Sequence, residues 1–175
     1  MTAPQDPGGR PAIVYLLVGL TGSGKTTYAK RVLEAAGVTR LSVDELVYER
    51  HGRYGVDYPE PWYFELEAPV VAEVRERVAE LVAAGTDVVL DHGLWTRTAR
   101  EEWKKLVEDA GGGWRLLYFP VERAELLRRL EERNQHTHAN ALMVSESALD
   151  DFVDRFDVPE GEGELVIEPN WIRLA

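Results

Sequence analysis

Apolar residues along this chain gather into five short runs, separated by longer stretches in which they recur at helical spacing. The runs are Ile13–Val18 (IVYLLV), Val38–Val43, Thr86–Leu90, Trp114–Phe119 (WRLLYF) and Leu165–Ile167. Continuously apolar segments of this length predict strands buried on both faces, as in a parallel sheet. Between them lie predicted helices. One runs from Thr26 to Ala36 and stops at Gly37, a suitable C′ residue. Another runs from Trp62 to Ala84, with Leu66, Val70, Val74, Val78, Leu81 and Val82 on or beside one stripe, and Gly85 closing it. The segment HGLWTRTAREEW begins as a loop and becomes a helix through Asp109, ended by Gly111, Gly112 and Gly113. Residues 121 to 133 form a charged helix. Residues 134 to 144 are polar and uncommitted, and Ser145–Phe156 is a short helix capped by Ser145 or Ser147. Strands alternating with helices predict an α/β fold with right-handed crossovers and a ligand at the carboxyl ends of the strands. Neither a repeat nor a second domain is visible. The expectation is a flexible tail over 1–11 and one domain over 12–175.

Composition narrows this picture. The 175 residues suffice for one domain with a sizeable core, and 45% hydrophobic content is that of a globular chain. A formal net charge of −11 disfavours wrapping a long nucleic acid, yet leaves room for a small anion in a local positive pocket. There is no cysteine, so disulfides and thiolate metal sites are excluded. No apolar run is long enough to span a bilayer, and MTAPQDPGGRP lacks a signal peptide's apolar core. The expected location is cytoplasmic, with no membrane partner.

The stretch with the clearest chemistry is GLTGSGKT, Gly19 to Thr26, between the first strand and the first helix. Its spacing is that of a phosphate-binding P-loop. Glycines let backbone N–H groups approach phosphate oxygens, and the helix presents its positive end to the anion. Thr21, Gly22, Ser23, Gly24, Lys25, Thr26 and Thr27 are therefore the expected nucleotide-binding residues. Lys25 supplies a cation for the β- and γ-phosphates, and the Thr26 hydroxyl is a ligand for Mg²⁺. TDVVLD has the shape of a second nucleotide-site strand, an apolar run ending in an acid. Asp91 either holds Mg²⁺ through a water or positions Thr26 without reaching the metal. The adjacent His92 is read as structural. Asp44 follows the second strand, where Asp also serves as a helix N-cap. Residues 50–64 crowd Tyr54, Tyr58, Trp62, Tyr63 and Phe64 into a Gly- and Pro-rich insert, which either packs locally or lines a pocket.

With these segments the chain resembles the small P-loop kinases and phosphotransferases grouped with the AAA-type "ATPase domain 33" proteins. That broad class includes gluconate kinase, chloramphenicol phosphotransferase, zeta toxin and polynucleotide kinase. The resemblance rests on GLTGSGKT, LSVDE, VVLDHGLWTRTAREEW, ELLRRLEERN and FDVPEGEGE, and covers nearly the whole chain after the tail. It implies a three-layer P-loop NTPase fold with strand order 2-3-1-4-5 and a helical lid at about 121–145. It implies ATP, with GTP not excluded, and Mg²⁺. It makes Asp44 the acid that meets an acceptor hydroxyl, as base or orienter. It favours Arg133 in the lid, with Arg129 one turn away on the same face, although Glu132 and Glu125 at the same spacing also offer Arg128 and Arg129 a solvated salt-bridged face. Arg100, ahead of Arg97, is the expected anchor for the substrate or its phosphate; both are equally readable as surface residues of an exposed helix. Tyr54, Tyr58 and Trp62 would line the acceptor pocket. The implied function is ATP-dependent phosphorylation of a hydroxyl on a small molecule, either a metabolite or an antibiotic, nucleoside antibiotics included. Two other readings are a kinase for a nucleic-acid end or tRNA-linked hydroxyl, and a P-loop ATPase or switch module without an acceptor.

Overall fold

The computed structural model describes residues 9–135 and 144–171. Each apolar run forms a strand: β1 (Ile13–Val18), β2 (Thr39–Ser42), β3 (Val88–Asp91), β4 (Gly113–Tyr118) and β5 (Glu164–Val166). They pair in parallel in the order β2-β3-β1-β4-β5. Among the described residues six α-helices flank the sheet: α1 (Lys25–Tyr28), α2 (Val43–His51), α3 (Tyr63–Ala83), α4 (Arg97–Asp109), α5 (Arg123–Arg133) and α6 (Glu146–Asp154). Together they make the three-layer P-loop NTPase fold. The helix after the P-loop is not uniform. After α1 it continues as a π-helical turn, Ala29–Leu33, and a 3₁₀ turn, Glu34–Ala36, before Gly37 ends it at φ 89°.

Period-two alternation along the strands divides the core between the two faces. Val14, Leu16 and Val18 of β1 and Val88 and Leu90 of β3 face α3 and α4. There they meet Val70, Val74, Val78 and Val82, one residue per helical turn of α3, and Trp103 and Val107 of α4. Leu17, Val89 and Leu117 face the other way, onto Ala29, Leu33 and Val38. A third cluster, Leu126, Leu130, Val144 and Leu149, fastens α5 to α6.

The boundaries differ from expectation for local reasons. β3 starts two residues late because Asp87 is already committed: its carboxylate accepts the Ile13 N–H (2.8 Å) and pairs with Arg10. Within the expected tail, residues 1–8 lie outside those described, and Arg10 is tied down by this pair. The N-cap of α2 is Ser42, whose Oγ accepts the Glu45 N–H (3.3 Å). Asp44 is therefore no cap; it lies inside the first turn of α2, where a carboxylate is favoured by the helix dipole. Ser145 caps α6. Of the expected lid, 136–143 lie outside the described residues.

Candidate active site

The P-loop bends as its glycines allow. Gly22 (φ 86°) and Gly24 (φ 97°) occupy the left-handed region, which turns the chain around the space above α1. Lys25 is folded back along the loop. Its Nζ donates to the carbonyls of Gly19 (2.8 Å) and Leu20 (2.9 Å) and to Ser23 Oγ (3.3 Å). Burial pulls the Lys25 ammonium down to about 8, against the pull of Asp91 and Asp44. A polyphosphate placed here would restore that charge. Thr21, Gly22, Gly24, Thr26 and Thr27 open onto the same cleft, whereas Ser23 is buried beneath it, against Lys25.

Asp91 ends β3 beside the P-loop, and Thr26 Oγ1 donates to its Oδ1 (3.1 Å). The opposite oxygen is held by a residue that sequence reasoning missed. Arg40 of β2 donates from Nε (3.0 Å) and Nη2 (2.8 Å) to Asp91 Oδ2, and grips Glu45 with both Nη atoms (2.9 and 2.7 Å). Burial works against the Arg40 charge, but the hydrogen bonds to Glu45 and Asp91 outweigh it and hold the guanidinium charged. Asp91 is thus fixed on one side and offers Oδ1 with the Thr26 hydroxyl on the other. This hard oxygen pair fits Mg²⁺, which takes one or two protein oxygens and completes its shell with waters and phosphates.

Across the cleft, Asp44 receives a hydrogen bond from Tyr63 Oη (2.5 Å). One turn further along α3 stands Glu67, and the loop after β3 brings His92 alongside, its Nδ1 3.9 Å from Glu67 Oε1. One ligand-capable atom from each of Asp44, Glu67 and His92 falls within a 4.8 Å span. Burial, reinforced by the Asp44 charge, pushes the Glu67 carboxyl up to about 7. Burial also lowers the His92 pKa, so its imidazole favours the neutral form. Neither Tyr63 nor Glu67 was read as a site residue. The available signal was an acid on the stripe 63, 67, 70, 74, 78, at a position where the helix should bury an apolar side chain.

The four arginines of α5 have separate fates, and Arg123 is paired with Glu146 and Asp150 of α6. Arg128 is exposed and paired with Glu125 and Glu132, the solvated arrangement. Arg129 donates to Glu125 (2.7 Å) and to the Gly22 carbonyl (3.3 Å), so it touches the P-loop. Arg133 reaches into the cleft with a buried Nε that lacks a hydrogen-bond partner among the described residues. Its pKa is lowered by burial, with Asp44 pulling the other way. A buried cation left without a partner is costly, and an anion at this point would satisfy it.

The remaining expected substrate residues separate as well. Tyr54 lines the cleft and packs edge-on against Tyr58 and Tyr63. Tyr58 is core, and Trp62 is exposed away from the cleft, so the insert partly packs locally and partly lines the pocket. Arg97 is exposed at the start of α4 and is not in the cleft wall. Arg100 does not reach the cleft. It is fully buried, bonded to Glu162 by Nε and Nη2 (both 2.7 Å) and to the carbonyls of Leu94 (3.0 Å) and Trp95 (3.2 Å). With Lys104, which donates to the Glu162 carbonyl (2.9 Å), it pins the late PEGEGE loop to α4. The expectation of a substrate anchor fails here because the guanidinium is already committed to this ion pair.

The cleft joining these groups has a volume of about 1690 Å³. Fold, P-loop and the Thr26–Asp91 pair define a protein of the P-loop NTPase class. The chain belongs to the AAA_33 (AAA domain) family, whose model matches residues 14–159. Among curated relatives, a shikimate kinase from Synechococcus elongatus is 32% identical over 120 residues, which is 66% of this chain and 56% of that one. The chain thus spans about half the length of the curated relatives it matches. Solved structures with the same fold include a gluconokinase from Sinorhizobium meliloti 1021 (TM-score 0.60, 24% identity, 91% of this chain and 83% of that one). A sugar kinase from Janibacter sp. HTCC2649 is similar at TM-score 0.62 and 19% identity, covering 93% of this chain and 86% of that one. No helix among the described residues is long and apolar enough to cross a membrane.

Proposed function

We propose that this protein is an ATP-dependent phosphotransferase that moves the γ-phosphate to a hydroxyl of a small molecule. One observation carries the reading: Asp44, fixed by Tyr63, lines the same cleft as Lys25 and Arg133, and its charge is felt at both. Its relatives named as shikimate kinase and gluconokinase support a small hydroxylated acceptor, metabolite or antibiotic. The P-loop N–H groups and α1 hold the nucleotide phosphates, and Lys25 turns from its carbonyls to the β- and γ-oxygens. Thr26 and Asp91 would hold Mg²⁺, which when bound neutralises phosphate charge. Arg133 and Arg129 face the transferring group from the lid side. The acceptor oxygen attacks phosphorus in line, the bond to the β-phosphate bridging oxygen breaks, and ADP leaves. Asp44 orients the hydroxyl and receives its proton. The −11 net charge favours a small molecule over a nucleic-acid end.

The test is ADP release from Mg·ATP with and without a panel of hydroxylated metabolites and antibiotics, with products identified by mass. Acceptor-dependent release with a phosphorylated product is the expected result. Equally fast release without any acceptor would make the protein an ATPase module and overturn the proposal.

A further inference from the structure

The cleft wall that an acceptor would meet comes from α2, the 54–67 segment, the loop after β3, and α6. It carries the carboxylates Asp44, Glu60, Glu67 and Asp151, and the rings of Tyr54, Tyr63, Phe64, Trp95 and Phe152. Its cation on α6, Arg155, is paired with Asp151 (2.9 Å), and Lys30, also in the cleft wall, is paired with Glu45 of α2 (3.2 Å). The other arginines nearby in sequence are unavailable: Arg100 is consumed by Glu162, and Arg40 by Asp91 and Glu45. A carboxylate or phosphate on the acceptor would meet Asp44 and Glu67 at close range, and Arg133, the guanidinium whose Nε is unpaired in the cleft, is committed to the transferring phosphoryl group on the proposed reading. Like charges so placed repel more strongly in a half-buried site than in water. The nucleotide side of the same cleft is the opposite, with Lys25, Arg129 and Arg133 in its wall.

Aromatic faces beside carboxylates form the usual chemistry for holding an organic ammonium, through cation–π attraction and charge-assisted hydrogen bonds. Phe64 is 61% exposed, and Trp95 and Phe152, tilted at 49° with ring centroids 4.9 Å apart, both line the cleft. From this arrangement, and resting on the phosphotransferase reading above, we infer that the acceptor is an amine-bearing hydroxyl compound, its ammonium seated between Asp44 and Glu67 and the aromatic wall. The ammonium lets both carboxylates stay ionised side by side, an arrangement that Glu67 alone resists. It also holds a neighbouring hydroxyl near Asp44. A metal ion on Asp44, Glu67 and His92 would use the same atoms, but would leave the aromatic wall without a purpose.

The test is calorimetric titration of the Mg·ADP-loaded full chain with 2-deoxystreptamine and glucosamine, against N-acetylglucosamine, gluconate and shikimate. The amines are expected to bind at least about tenfold tighter than the neutral and anionic compounds. Glu67→Gln should reduce that preference toward unity while ADP affinity holds and the melting temperature does not fall. Glu60→Gln, at an exposed position, should reduce it in part with the melting temperature little changed. Gluconate or shikimate binding as well as the amines would overturn the inference. So would failure of every amine to bind, or a preference untouched in both variants. Mn²⁺ binding without nucleotide that glucosamine does not compete with, and that Glu67→Gln removes, would assign the cluster to a metal instead. These titrations do not depend on turnover. If amines bind but no compound yields a phosphorylated product, the phosphotransferase reading fails and the charge preference stands.

Discussion

The two ends of the cleft are built by different means. The nucleotide end is made mostly of backbone: the P-loop N–H groups, two glycines with positive φ, and one lysine that rests on the loop's own carbonyls. The acceptor end is made of side chains from α2, α3, α6 and two loops, and its groups hold one another, Tyr63 on Asp44 and Arg155 on Asp151. The first is positive and fits a polyanion that varies little between enzymes. The second is acidic and aromatic, and can change with a few substitutions while the fold stays. Binding of the common substrate is therefore written in a contiguous motif, and choice of the particular one in a constellation.

The largest effect should come from the nucleotide end. Lys25→Ala is expected to abolish transfer and weaken Mg·ATP binding, because Lys25 alone among the described cations rests on the Gly19 and Leu20 carbonyls at the base of the P-loop. Steady-state turnover at the wild-type rate would refute the P-loop assignment. Asp44→Asn tests the other end. Transfer to an acceptor should fall about 10²–10⁴-fold with ATP affinity nearly unchanged. Thermal melting should move little, because Ser42 and not Asp44 caps α2; the lost helix-dipole interaction is worth about 0.3–1 kcal/mol. A variant that melts early and loses activity in proportion would make Asp44 structural.

Arg133→Ala, at the junction of the two ends, should lower kcat by about 10²-fold and change the ATP KM less. Arg128→Ala should do much less, since that side chain is exposed and paired with two glutamates. Equal, small effects from both would return α5 to a solvated surface helix.

The smallest effect is on stability, and it isolates the acceptor end. The Glu67 carboxyl titrates near 7 in the folded protein against 4.5 ordinarily, because burial first and Asp44 second oppose its charge. The folded state then binds this proton more tightly than the unfolded one. The penalty of ionising Glu67 is absent below pH 4.5, grows between 4.5 and 7, and is complete above 7. Glu67→Gln without ligands should match the wild type at pH 4.5 and be more stable at pH 8, by at most about 3 kcal/mol. Denaturant titrations at the two pH values measure this. Identical differences at both would show that Glu67 is not held neutral by its surroundings.

Sequence alone determined the strands and the phosphate site, because both depend on short-range pattern. A continuously apolar run such as Ile13–Val18 is buried on both sides in any parallel sheet. Gly19 to Thr26 turn around the space above α1 using their own backbone. Asp44 and Asp91 were legible as acids at strand ends. The partners of those acids were not, since they depend on which elements meet. The pairing of Ser42 with Asp91 puts Arg40 diagonally across from the acid, within reach of its Oδ2. The packing of α3 against α2 carries Tyr63 across to Asp44, 19 residues earlier in the chain. Arg100 shows the converse. Its charge and position in the sequence suited a substrate anchor, yet Glu162, 62 residues away, claims it in the core. A side chain's charge is set by the chain, but whether that charge is free for a ligand is decided by the neighbours that folding brings to it.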